Sequence, residues 1–126
     1  MPDNIDKASF WADFLVEHAN CPDALILRQH LEGATFHTFC PCGCCSFQIT
    51  VADRNSLPPL RPPVPKQEGR HRAFFTTGRM LSDGRNLSID AFCDDDGILW
   101  GIDVDINANT EPVPEPLQAK TLLGLD

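Results

Sequence analysis

Two Asp-Gly pairs, Asp83-Gly84 and Asp96-Gly97, separate stretches in which apolar residues alternate with polar ones. Period-two alternation marks half-buried strands, and Asp-Gly between two such runs is a strong hairpin signal. The register is then testable, because a one-residue slip sends every side chain to the opposite face. Taking Asp96-Gly97 as a two-residue turn pairs Cys93 with Trp100, Ala91 with Ile102, Ile89 with Val104 and Leu87 with Ile106. That face is wholly apolar. The other face pairs Phe92 with Gly101, Asp90 with Asp103 and Ser88 with Asp105. The same treatment of Asp83-Gly84 sets Met80 against Leu87, Gly78 against Ile89 and Phe74 against Cys93 on the apolar face. It sets Phe75 against Phe92 and Thr77 against Asp90, with Arg79 diagonal to Asp90.

Upstream, Phe10, Trp11, Phe14, Leu15 and His18 recur at helical spacing, with Asp6 or Ser9 as N-cap. Asn20-Cys21-Pro22-Asp23 breaks this helix. Pro22 suits the first turn of a second helix ending at Leu31 before Gly33, although the apolar run there also fits a strand. From Ala34 the period becomes two. In the stretch CPCGCC a turn centred on Cys42-Gly43 pairs Cys40 with Cys45, Thr38 with Phe47, Phe36 with Ile49 and Ala34 with Val51. A turn at Pro41-Cys42 gives poorer matches. The first register places Cys40 and Cys45 inward, with Cys42 at the tip and Cys44 outside.

The resulting expectation is one α+β domain spanning residues 1–126. Helices fall at about 7–32 and a hairpin at 34–51. A Pro-rich loop follows at 56–69, then strands at 72–81, 86–93 and 98–106, and a Pro-rich tail at 107–126. The sheet is antiparallel, mostly a meander, with about five strands. A chain of 126 residues has room for a single core. Its formal charge of −8 argues against nucleic acid and membrane surfaces as partners, since phosphate binding needs a basic face. It favours a basic protein partner through electrostatic steering. The first residues carry neither a cationic start nor a long apolar run, so a cytoplasmic location and reduced thiols are expected.

Two sets of residues are candidate sites. Phe75, Asp90, Phe92, Asp103 and Asp105 make a mixed aromatic and acidic face, which suits protein binding if the helices leave it open. Asp90 opposite Asp103 costs stability unless Arg79 offsets it. The sequence DDDG lacks the spacing of a calcium loop, and a hairpin turn accounts for it. The second set is Cys40, Cys42 and Cys45 with Cys21 as a fourth ligand, a candidate zinc site. It competes with two other readings: buried thiols acting as small hydrophobes, and a reactive thiol at Cys42 or Cys44. No cofactor is required by the first of these, and no catalytic residue is assigned.

The stretches CPCGCCSFQITV and DDDGILWGIDVDI resemble the pattern of a group of small uncharacterised bacterial proteins. That pattern is a C-x-C-G-C-x-S hairpin followed by a D-D-G-x-L hairpin. The resemblance implies an α+β fold with an antiparallel sheet and carries no activity. In size and charge the chain also resembles bacterial immunity proteins that neutralise basic toxin domains. The leading expectation is therefore a small acidic binding module, possessing no enzymatic role, against a zinc-stabilised domain or a thiol-dependent enzyme.

Overall fold

The computed structural model describes residues 4–41, 44–60 and 72–125. The chain is α+β, with two N-terminal helices, a five-stranded antiparallel sheet and a third helix near the C-terminus. Helix α1 (Asn4–His18) starts before either N-cap candidate, and α2 (Ala24–Leu31) follows a turn in which Asp23 adopts φ 56°. Pro22 lies in that turn rather than inside the helix. Gly33, at φ 69°, ends the helical region as its lack of a Cβ permits.

The sheet comprises β1 (Thr35–His37), β2 (Phe47–Thr50), β3 (Arg72–Met80), β4 (Asn86–Cys93) and β5 (Leu99–Ile106) in the order β1-β2-β5-β4-β3. A short hairpin and a three-stranded meander are thus joined along the β2–β5 seam. The connection from β2 to β3 must cross three strand spacings, about 14 Å, at one end of the sheet. Its described part is pinned there. Arg54, in a 3-10 turn (Arg54–Ser56), bridges Asp94 and Asp96 at 2.8 Å each, and the Leu60 N–H donates to the Gly97 carbonyl at 2.8 Å. The rest of the Pro-rich loop, 61–69, lies outside the described residues.

The Asp96-Gly97 register holds for six pairs, from Leu87 opposite Ile106 to Phe92 opposite Gly101. The turn itself is one residue longer than expected. Asp94 N–H donates to the Ile98 carbonyl, Gly97 sits at φ 82°, and Asp94 Oδ1 accepts the N–H groups of Asp96 and Ile98. A bulge at Trp100 then restores the register, so that Cys93 faces Leu99 rather than Trp100. The Asp83-Gly84 turn uses the same three-residue loop, closed by Leu81 N–H to the Arg85 carbonyl with Gly84 at φ 93°. No bulge adjoins that turn to compensate. Arg79 therefore faces Leu87, Thr77 faces Ile89, Thr76 faces Asp90 and Phe75 faces Ala91, one residue away from the expected pairing. A two-residue type I′ turn would force the aspartate to positive φ, whereas the longer loop asks this only of glycine.

That slip turns β3 over. Arg79 lies on the helix side, with its guanidinium 5.1 Å from the Phe14 ring centre and Nη2 donating to the His18 carbonyl at 2.8 Å. It caps the C-terminal end of α1, where a cation also meets the negative end of the helix dipole. Met80, expected inside, is 68% exposed.

All three helices contribute to one core. Trp11, Phe14, Leu15, Leu27 and Ala119 pack with Phe47, Ile49, Leu87, Ile89, Ala91, Ile102, Val104 and Ile106. The helix α3 (Pro116–Leu122) replaces the extended tail expected at 107–126. Pro116 stands in its first turn, where a missing N–H costs nothing, and Leu122 accepts the Ser82 N–H.

Candidate functional site

The sheet has two unlike faces. The helices cover the face of Leu87, Ile89 and Ala91, so among the described residues no helix lies over Asp90, Phe92, Asp103 and Asp105. Period two along β4 and β5 places these four on the open side, all partly exposed. Asp90 stands directly opposite Asp103. Phe75, expected with them, belongs to the other face because of the one-residue slip in β3. Arg79 is likewise turned away, onto the His18 carbonyl and the Phe14 ring, so it does not offset the Asp90–Asp103 pair. Among the described residues no ion pair engages Asp90, Asp103 or Asp105.

The electrostatics follow from that geometry. Burial, followed by the neighbouring Asp90 and Asp105 charges, raises the Asp103 carboxyl above the ordinary aspartate value of 3.8, against a lowering hydrogen bond from Ser46. The acidic turn beside this face is a different case. Asp94 and Asp96 are held by Arg54, so the DDDG stretch is a closed structural device.

The cysteine hairpin follows the expected register over Thr35 to His37, which face Thr50 to Gln48. Nearer the turn the ladder departs from it. Thr38 adopts φ 55°, and Cys40 N–H donates to the Ser46 carbonyl at 2.9 Å. Cys40, Cys44 and Cys45 line one cavity of about 460 Å³ with Asn4, Lys7 and Trp11 of α1, and with the strap 112–115. Cys44, expected outside, thus shares the cavity with its neighbours. Cys42 lies outside the described residues. Cys21 follows the far end of α1, roughly 16 Å along the helix from Lys7 at 1.5 Å per residue, and cannot complete a ligand set there. Cys93 lies at the other end of the sheet, opposite Leu99, while Cys45 N–H donates to the Val104 carbonyl. Among the described residues no group of three or more His, Cys, Asp or Glu is arranged to hold a metal ion.

Burial pushes the Cys45 thiol up to about 11, with Lys7 lowering it and Glu115 raising it to lesser extents. Only about one thiol in ten thousand would then be thiolate at pH 7. Alkylation of Cys45 by iodoacetamide is therefore expected to be slow at neutral pH and to accelerate about tenfold per pH unit up to pH 10. Mass spectrometry of timed samples checks this, and a pH-independent fast rate would contradict it.

Sequence reasoning assigns no role to His30, a residue of α2, yet it is fully buried. Leu99 N–H donates to its Nδ1 at 3.2 Å, and its Nε2 meets the Pro58 carbonyl at 2.7 Å. Both ring nitrogens are thereby used in holding the α2, β5 and Pro-rich segments together. Neither Arg54 nor Glu115 carries a sequence signal either, since each acquires its partner only when distant segments meet.

No family model, curated protein or solved structure matches this chain. No helix among the described residues is long and apolar enough to cross a membrane.

Proposed function

We propose that this chain is a non-catalytic binding module that holds a basic protein partner on the open acidic face of its sheet. The observation that carries the reading is the Asp90–Asp103 pair. Two carboxylates face each other across adjacent strands, while Arg79, a cation close in sequence register, is spent on α1. A like-charge cross-strand pair costs roughly 0.2–1 kcal/mol, so a fold gains nothing by keeping it. A partner's Lys or Arg side chains would offset that repulsion. Phe92 supplies the aromatic surface, with the acids around it setting partner choice and encounter rate.

The sign of the Asp103 effect gives a paired test. A carboxyl raised in the folded state favours the protonated form, and its stability contribution is lost as pH rises through the folded value. Asp103→Asn should therefore be slightly more stable than the parent at pH 7, by about 0.2–1 kcal/mol in urea. The same variant should bind its partner less tightly. Affinity of the parent should fall on acidification, beginning above pH 3.8 as Asp103 loses its charge.

The partner itself can be sought by capture on immobilised protein. Basic proteins should be retained by the parent, released by salt, and absent from a matrix carrying Asp103→Lys with Asp105→Lys. Retention of the same proteins by both matrices, or binding insensitive to salt, would sink the proposal.

A further inference from the structure

We infer that the outer edge of β3 is where the partner of the acidic face docks, adding an extended basic segment to the sheet as a further antiparallel strand. The inference rests on the reading just given and names the form the partner takes. β3 ends the strand order, and no described strand lies beyond it. The hairpin hydrogen bonds fix which way its backbone points. Leu81 N–H donates to the Arg85 carbonyl, and hydrogen-bonded and non-bonded pairs alternate from there. Arg79, Thr77 and Phe75 are thus bonded to β4, while Met80, Gly78 and Thr76 are not. The far side of β4 agrees, because the carbonyl of Asn86, opposite Met80, accepts the Asn107 N–H on the β5 side. The N–H and C=O groups of Thr76, Gly78 and Met80 therefore point off the sheet, and among the described residues nothing pairs with them.

Exposed edges are ordinarily blunted by charge, proline or a bulge. From Thr76 to Met80 there is no proline, and the one charged side chain, Arg79, is turned onto α1. The irregularity in β3 lies between Ala73 and Phe75, outside this segment. Thr76, Gly78 and Met80 are all exposed, and their side-chain positions share the open face with the acids. Thr76 stands in a row with Asp90 and Asp103, and Gly78 in a row with Ser88 and Asp105. In an antiparallel addition, the incoming residues opposite these three bond to β3 and turn their own side chains onto that same face. A strand seated there lies two spacings, about 10 Å, from β4, a gap that a Lys or Arg and the Asp90 side chain bridge together. Charge selects the occupant. A second copy would set two chains of charge −8 edge to edge and merge their acidic faces, whereas a basic segment is attracted.

The test titrates ¹⁵N-labelled full-length protein with the capped peptide Thr-Lys-Val-Lys-Val-Lys-Thr. The amides of Thr76, Gly78 and Met80 should shift saturably and gain exchange protection. N-methylation of the lysines, whose N–H groups would meet β3, should weaken binding at least about tenfold, and N-methylation of the valines should leave it within about threefold. Gly78→Pro, which removes one outward N–H and leaves the β4 pairs intact, should also weaken the peptide. The methylated peptides need no variant to fold. Any other methylation pattern, or no saturable shift, overturns the inference and leaves the acidic face to its own test on Asp103 and Asp105. Equal binding of a peptide with threonine for lysine removes the need for charge and overturns a basic partner. Protection of the three amides in the peptide-free protein gives the edge to another occupant and also overturns the inference. That occupant is a second copy if the protein sediments as a dimer, and residues 61–71 of the same chain if as a monomer.

Discussion

His30→Leu is expected to lower the free energy of unfolding by about 2–4 kcal/mol, read as a shift in urea midpoint with little change in slope. Leucine fills nearly the same volume, so the loss does not come from a cavity. It comes from the two backbone groups that the imidazole satisfies. The Leu99 N–H is shut inside the core, where a stranded donor bears the full cost of desolvation. The Pro58 carbonyl belongs to an exposed residue and recovers part of its loss from water. Because Leu99 N–H is a donor and the Pro58 oxygen an acceptor, the ring must carry its proton on Nε2. His30→Gln, which offers both an acceptor and a donor, should therefore recover part of the deficit. Amide exchange should single out Leu99 as the site whose protection falls most. A leucine variant within about 1 kcal/mol of the parent would show that the two hydrogen bonds are not what holds this corner.

Gly101→Val is the second large effect. Gly101 lies between β2 and β4, paired with Gln48 on one side and Phe92 on the other. A Cβ placed on it would stand 3.0 Å from the Phe47 carbonyl oxygen and 3.8 Å from the Gln48 Cα. Both are backbone atoms of the neighbouring strand, which cannot move as a side-chain tip can. Gly101→Ala should cost about 1–3 kcal/mol, the usual scale of overpacking, despite alanine's better strand propensity. Valine, with two branches at the same point, should exceed this and prise β2 from β5. The signature is local: amides of β1 and β2 lose exchange protection before those of β4. A fully stable Gly101→Ala protein would mean that the seam yields at little cost.

Much of the fold is legible in the residues, and the failures have physical causes. The β4–β5 face was readable because Leu87, Ile89 and Ala91 meet Ile106, Val104 and Ile102 in both the expected and the observed pairing. That success hides a compensation, for the longer turn is undone by the bulge at Trp100. At Asp83-Gly84 the same turn stands uncompensated next to the loop, and the apolar pattern of β3 gives no warning. Its residues Phe74 and Phe75 are adjacent, so either register brings one of them to the core. Asp90, Phe92, Asp103 and Asp105 therefore share one sheet face, as their spacing implies, and Phe75 lies on the other. The cavity was harder to foresee. It needs Trp11, Glu115 and the cysteine hairpin together, three segments joined only by tertiary packing. The short α3 was hidden by prolines that suit both an extended tail and a helix start.

The strand order has a kinetic corollary. Each hairpin closes between residues near in sequence, which is fast, because little chain entropy is lost before the contacts form. The β2–β5 seam joins Phe47 to Ile102 and rests on two ladder pairs. It should be the last part of the sheet to assemble and the first to open. The β1–β2 hairpin, which carries the cysteine turn, would then detach as a unit while the meander stays intact. Freer access to the half-buried Cys45 thiol would follow that opening rather than global unfolding.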